Sequence, residues 1–332
     1  MARKEMFVGD GMGKREAANI ELLRTSITKH DHILPIYAVY TYKDTLNIIS
    51  ELADDDLEVF LTGDHYDAIF SAPQCLAKLL SETCNLAHAL AFLHERLRET
   101  DKNHILCHMD FHTRNILVKD TAKDFKFVIS DFGLSKVQRD PRDRQTPLNL
   151  QEVTKTNARR RPGTFLAPEV RTGSPSPVGR KSDVWSLACI VIRILTRGVL
   201  GREVLNEFDQ CRVDASKNKS KDYFYSRTLE GDCVINEAVE IWLSSLFSKS
   251  GPFVRNFVSE LRPGSDDDVT AILENLSITL RDALSVAEER RIDASEFSSR
   301  LDRIREQVAQ LRPKTRYVLG DSYRHKLCYI ET

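Results

Sequence analysis

The run His108-Met109-Asp110-Phe111-His112-Thr113-Arg114-Asn115 packs a carboxylate, two imidazoles and a carboxamide into one short stretch. Asp131-Phe132-Gly133 follows it downstream, and then Ala167-Pro168-Glu169. The ordered set supplies a potential proton acceptor and two oxygen ligands for a divalent cation, the groups that phosphoryl transfer needs. Such a transfer asks for little covalent chemistry from the protein. It asks for a positioned acceptor hydroxyl and for neutralised phosphate charge. Taken singly, His108, Asp110 and Asn115 are residues that any polar loop contains. Joined in this order to the two later triplets, they are hard to explain as loop polars.

These residues need elements to hold them. Leu86, Leu90, Leu93 and Leu97 recur on one face of a helix expected over 81–98, which leads into the run. Phe125, Phe127 and Ile129 alternate with Lys126 and Val128, a strand feeding directly into Asp131. Upstream, residues 14–27 have helical spacing, and Ile33–Val39 and Leu46–Glu51 read as strands about a turn at Lys43-Asp44. The acidic run Asp54-Asp55-Asp56 is a hinge into a helical region. Residues 135–163 lack a hydrophobic period and read as a long loop, and Gly173–Pro177 as a second one stiffened by proline. Asp183 is placed to cap a helix over Val184–Thr196, whose only charged residue is Arg193; so apolar a helix belongs at the buried axis of a helical body. Further amphipathic helices are expected near 234–248, 268–287 and 295–311, followed by a polar tail over 313–332.

Bulk properties narrow the classes. A chain of 332 residues can bury a substantial core. A net charge of −1 gives no electrostatic argument for nucleic acid or an anionic membrane as partner. No apolar run approaches the ~20 residues of a membrane span, and no apolar segment follows the basic N-terminus as a signal peptide requires. Seven scattered cysteines without a paired spacing read as free thiols, which points to cytoplasm or nucleus.

Together the motifs resemble those of eukaryotic-type protein kinases, from residue 1 to about residue 311. The resemblance implies a two-lobed α+β fold. An incomplete, small β-rich N-lobe would occupy 1–53, a large mainly helical C-lobe 54–312, and a tail 313–332. It implies ATP and Mg²⁺ as cofactors and transfer of the γ-phosphoryl group to a Ser/Thr hydroxyl of a protein substrate; Arg114-Asn115 also resembles tyrosine kinases. Asp110 would accept or orient the hydroxyl proton, Asn115 and Asp131 would hold Mg²⁺, and Leu117 would lie under adenine. Lys4, in Ala2-Arg3-Lys4, resembles the lysine that contacts the α- and β-phosphates, with Glu21 or else Asn19 facing it. Glu51 and Ala53 fall in the hinge that binds adenine through backbone groups, beside a serine gatekeeper, Ser50. Asp183 resembles the aspartate that holds the backbone of the catalytic loop, and Arg291 the arginine that pairs with Glu169.

Four departures from the family pattern qualify the resemblance. No glycine-rich loop precedes Lys4, where the chain begins; this reads equally as a fragment or a genuine loss, and Gly9-Asp10-Gly11-Met12-Gly13 lies too late to replace it. His112 stands where Ser/Thr kinases usually carry lysine, and a neutral imidazole cannot neutralise a phosphoryl group as an ammonium does. Met109 replaces the arginine that gathers a phosphorylated loop. The stretch from Gly163-Thr164 to Ala167-Pro168-Glu169 is short, so Thr164 is not expected to reach Asp110. The first two departures leave a second expectation, a kinase-like scaffold that binds nucleotide poorly. Oligomeric state is not legible.

Overall fold

The computed structural model describes residues 1–7, 20, 30–72, 74–95, 97–99, 102–121, 124–139, 163–171, 179–215, 222–247 and 266–311. The expected helix over 14–27, apart from a helical, buried Ile20, lies outside the described residues, as do Gly9–Gly13, the loop at 173–177 and the tail.

An antiparallel sheet opens the chain: β1 (Ala2–Phe7), β2 (Ile36–Tyr42) and β3 (Thr45–Ser50), in the order β1-β3-β2. Lys43, at φ 53°, makes the β2–β3 turn, and Thr45 Oγ1 closes it on the Tyr42 carbonyl at 2.9 Å. Ile36, Leu46 and Ile48 pack with Ile20 under the sheet. Of the two expected strands, the first, β2, begins at Ile36, not Ile33 as the sequence suggests. Pro35 has no N–H to donate to a ladder. Ile33 instead bridges Ile129, with Leu34 N donating to the Ile129 carbonyl at 2.8 Å. This splice fastens the sheet to the larger part of the molecule.

The acidic run continues that connection. Asp55–Asp56 form β4, and Asp56 caps helix α1 (Leu57–Thr62) by accepting the Val59 amide at 2.9 Å. After the short α2 (Asp67–Phe70) comes α3 (Cys75–Glu95). It starts six residues before the expected Ser81 and stops before Leu97, because Leu97–Glu99 are drawn into β5 by pairing with β6 (Lys102–Cys107). The expected loop from 135 also opens as a strand: β9 (Lys136–Arg139) pairs antiparallel with β6. Residues 140–162 lie outside the described ones. Between these strands, β7 (Ile116–Thr121) and β8 (Asp124–Ile129) form a hairpin, and β4 adds to β7.

This pairing positions the chemistry. The 108–115 loop joins β6 to β7, and the 130–135 loop joins β8 to β9. With β7 hydrogen-bonded to β8 and β6 to β9, both loops are pinned side by side.

Helices form the rest: α4 (Pro168–Arg171), α5 (Lys181–Leu200), α6 (Arg202–Asp214), α7 (Glu237–Leu246), α8 (Asp266–Ala283) and α9 (Ala294–Leu311). The axial helix α5 is longer than Val184–Thr196 and is buried from Ser182 through Arg197. It ends at Gly201, whose φ of 87° suits glycine. Packed around it, α3 and α9 supply Leu79, Leu86, Leu90, Phe297 and Leu301 to one continuous core. Helix α6 and the small hairpin Tyr225–Arg227/Cys233–Ile235 are elements that periodicity did not reveal. No described helix is long and apolar enough to cross a membrane.

Candidate active site

Asp183 does not cap α5; its carboxylate serves the 108–115 loop, as the family resemblance implies. Oδ2 accepts the His108 amide at 2.7 Å and Oδ1 the Met109 amide at 2.9 Å, while His94 Nε2 lies 3.1 Å from Oδ2. Burial alone would raise the Asp183 pKa, but the His94 hydrogen bond and charge, with His108 and the Met109 amide, hold it below the usual value. The bonds stabilise an uncommon backbone: Met109 has φ 68°. The Met109 side chain is buried against Ile105 and Cys107, so an apolar contact fills this position.

His108 ties the two loops together. Its Nε2 donates to the Ser130 carbonyl at 2.9 Å, its Nδ1 faces the Asp110 amide at 3.4 Å, and its ring packs on Phe111 and Phe132. Ser130 returns two bonds to the Asn115 carbonyl, from its amide at 2.8 Å and its hydroxyl at 3.0 Å. Asn115 Nδ2 donates to the Asp110 carbonyl at 2.9 Å and lies 3.4 Å from Asp110 Oδ2. His112 Nε2 stands 3.6 Å from the same Oδ2.

Asp131 also has left-handed backbone, φ 59°, fixed by the Gly133 amide on Oδ1 at 3.2 Å and by burial of the Phe132 ring. Lys4 reaches across from β1, with Nζ 2.9 Å from Asp131 Oδ1. Lys4, Ser50, Asn115, Leu117 and Asp131 line a cavity of about 210 Å³ between the sheet and the two loops. Glu51 and Ala53 are not among its lining residues. The Glu51 carboxylate bonds Lys119, its amide donates to the Pro35 carbonyl at 3.3 Å, and its carbonyl accepts Ser50 Oγ at 3.2 Å. Glu21 lies outside the described residues.

On the other side of Asp110 a cavity of about 500 Å³ opens, lined by His112, Glu58, Thr164, Arg193, Asp209 and Asp222 among others. Thr164 Oγ1 donates to Asp222 Oδ2 at 2.6 Å. The Arg193 Nη1 and Nη2 donate to the two Glu58 oxygens at 2.6 and 2.9 Å, and Nη2 also reaches Asp209 at 2.9 Å. Glu58 in turn accepts Thr113 Oγ1 at 2.6 Å, inside the 108–115 loop. Sequence reasoning missed this network. Its one signal was Arg193 as the sole charge within an apolar helix.

A small strand-rich part set on a larger helical part, with these loops meeting at the junction, is the α+β protein kinase fold. The chain belongs to the protein kinase family: the protein kinase domain matches residues 1–325. It is similar to Serine/threonine-protein kinase crk1 of Schizosaccharomyces pombe, 30% identical over 200 residues, covering 59% of this chain and 50% of that protein. Serine/threonine-protein kinase ppk23 of the same organism is 27% identical over 197 residues, 59% of this chain and 42% of the relative. Tyrosine-protein kinase Srms of Mus musculus is 26% identical over 180 residues, 54% of this chain and 30% of the relative. The chain thus spans half or less of the length of these curated relatives.

Proposed function

We propose that this protein transfers the γ-phosphoryl group of ATP to a Ser or Thr hydroxyl of a protein substrate. The observation that carries the reading is the convergence of Asp110, Asn115, Asp131 and Lys4 at the contact of two cavities. Asn115 and Asp131 are hard oxygen donors of the type Mg²⁺ takes. The Asn115 amide nitrogen is already turned to the Asp110 carbonyl, which leaves its oxygen as the ligand atom. Asn115 and Asp131 would hold Mg²⁺ there, and the charge it would supply is what offsets that of the phosphates. Asp110 orients the acceptor hydroxyl and takes its proton. Lys4, now on Asp131, contacts the phosphates, and Leu117 supports adenine against the backbone near Glu51 and Ala53. The domain division at residues 53 and 312 belongs to this reading, as does work in the cytoplasm or nucleus. Similarity to both Ser/Thr kinases supports the acceptor class.

Thermal denaturation with Mg-ATP tests the nucleotide side, and labelled phosphoryl transfer to protein, with Asp110→Asn as control, tests the chemistry. Stabilisation by Mg-ATP and transfer lost in Asp110→Asn are expected. No stabilisation would favour the scaffold reading.

His112 is assigned to act in its protonated form, because its Nε2 lies 3.6 Å from the Asp110 carboxylate and a cation there offsets charge on the transferring group. His112→Gln, which cannot carry a charge, is then expected to slow transfer by roughly 10²-fold or more, and His112→Lys, which keeps a cation, to retain most of the rate. Equal rates in the two variants would sink the assignment.

A further inference from the structure

The larger cavity has a floor of alternating charge, and the acids in it are answered from within the chain. Arg193 is 4% exposed and comes from the middle of α5. It forks between Glu58 of α1 and Asp209 of α6, whose side chains each remain 27% exposed. Arg212 holds the second oxygen of Asp209 at 2.6 Å, its guanidinium lying over the Phe208 and Phe224 rings. Burial would raise the Glu58 pKa, but the Arg193 hydrogen bond and charge, with Thr113, hold it below the usual value, so Glu58 is anionic at neutral pH.

Two carboxylates beside Asp110 would ordinarily attract the guanidinium or ammonium of an approaching segment through charge-assisted bonds. Here that place is taken by a guanidinium the chain supplies itself. An incoming arginine would meet carboxylates already engaged and a like charge behind them. An incoming glutamate would meet Asp110 and Asp222, both buried arginines are committed to their partners, and the charge of the exposed Arg114 on the cavity wall already acts on Glu58.

From this we infer that Arg193 determines acceptor specificity: by occupying Glu58 and Asp209 it makes the cleft select hydroxyl-bearing segments with uncharged flanking residues. The inference rests on reading the larger cavity as the seat of the protein acceptor.

The test is fluorescence-anisotropy binding of three serine peptides, flanked by glutamine, arginine or glutamate, to the full chain with Mg²⁺ and a non-hydrolysable ATP analogue. The wild type is expected to bind the glutamine-flanked peptide at least as tightly as the others. Arg193→Gln, which frees Glu58 of its guanidinium and leaves Asp209 only Arg212, should shift preference toward the arginine-flanked peptide by about tenfold or more, the scale of one close interfacial charge pair. Arg193→Lys keeps a cation and should keep the wild-type ranking. Should Arg193→Gln fail to fold, Glu58→Gln reads the same network in reverse, because it under-compensates Arg193 and should favour the glutamate-flanked peptide. A wild type with roughly tenfold preference for either charged peptide, no binding of any peptide, or an unmoved ranking in the folded variants overturns the inference. Phosphoryl transfer is scored separately. A ranking that behaves as expected without transfer would defeat the enzymatic reading alone, and transfer with an unmoved ranking would defeat the specificity assignment alone.

Discussion

Asp183→Ala is expected to lower folding stability by about 3–5 kcal/mol, with three buried donors losing their acceptor at ~1–3 kcal/mol each before relaxation. Those donors are the His108 and Met109 amides and His94 Nε2. The cost lands on a strained segment, because the bond from the Met109 amide to Asp183 supports a left-handed backbone at Met109. Phosphoryl transfer should therefore fall further than stability alone predicts, even in cold conditions where the variant remains folded. Asp183→Asn separates the effects: it keeps the volume and one acceptor but presents an N–H to one of the two amides. The pH behaviour follows from the lowered Asp183 pKa. Its contribution is fully present above the unfolded aspartate value of ~3.9 and is lost as pH falls through the lower folded value. Titration of Asp183 itself should thus leave the gap between wild type and Asp183→Ala unchanged above about pH 5 and narrow it only in strong acid, as read by urea denaturation. A neutral-pH difference under about 1 kcal/mol would show that water replaces the carboxylate adequately.

The sequence made some of this site legible and left other parts hidden, for a physical reason. Asp110, Asn115 and Asp131 could be picked out because each sits in a short loop whose residue types and order form the motif, and the β6–β9 and β7–β8 pairings bring those loops together. Lys4 likewise meets Asp131, although Glu21, its expected partner, lies outside the described residues. Asp183 was ambiguous: its position at a helix start suggested a cap, and only the resemblance pointed to the loop it holds. Periodicity failed where pairing partners lie far away in the chain. Leu97 continues a leucine spacing yet is taken by a strand, and Lys136–Arg139 has Val137 as its one apolar residue although β6 captures it. The floor of the larger cavity was hidden for the same reason, since Glu58, Arg193, Asp209 and Asp222 come from four separate segments.

Arg291→Met is expected to cost about 3–5 kcal/mol, the usual penalty for leaving one member of a buried ion pair uncompensated. Arg291 Nη1 and Nη2 meet the two Glu169 oxygens at 2.7 and 3.0 Å, with Glu169 only 14% exposed. The same guanidinium binds the Ser285 and Lys181 carbonyls, both at 2.9 Å, and lies over the Trp185 ring. Glu169→Gln should cost less, about 1–3 kcal/mol, because the carbonyls and the ring still receive the arginine. The double variant should recover part of the sum, giving a coupling of about 1–3 kcal/mol in a urea-denaturation cycle. Additivity within about 0.5 kcal/mol would mean that the pair is solvated in solution and structurally idle. The consequence for function is directional. Glu169 belongs to the segment that carries Thr164 and Phe165 to the larger cavity, where Ser186 Oγ also holds the Phe165 carbonyl at 2.7 Å. Among the described residues, Lys4 meets Asp131, Asn115 meets the Asp110 carbonyl and Asp131 meets the Gly133 amide, bonds that do not involve this segment. Arg291→Met should accordingly raise KM for the protein acceptor several-fold while leaving KM for ATP within about twofold, as expected when binding contacts are lost on one side of the reacting groups. Equal losses on both sides would instead place the pair beneath the whole site.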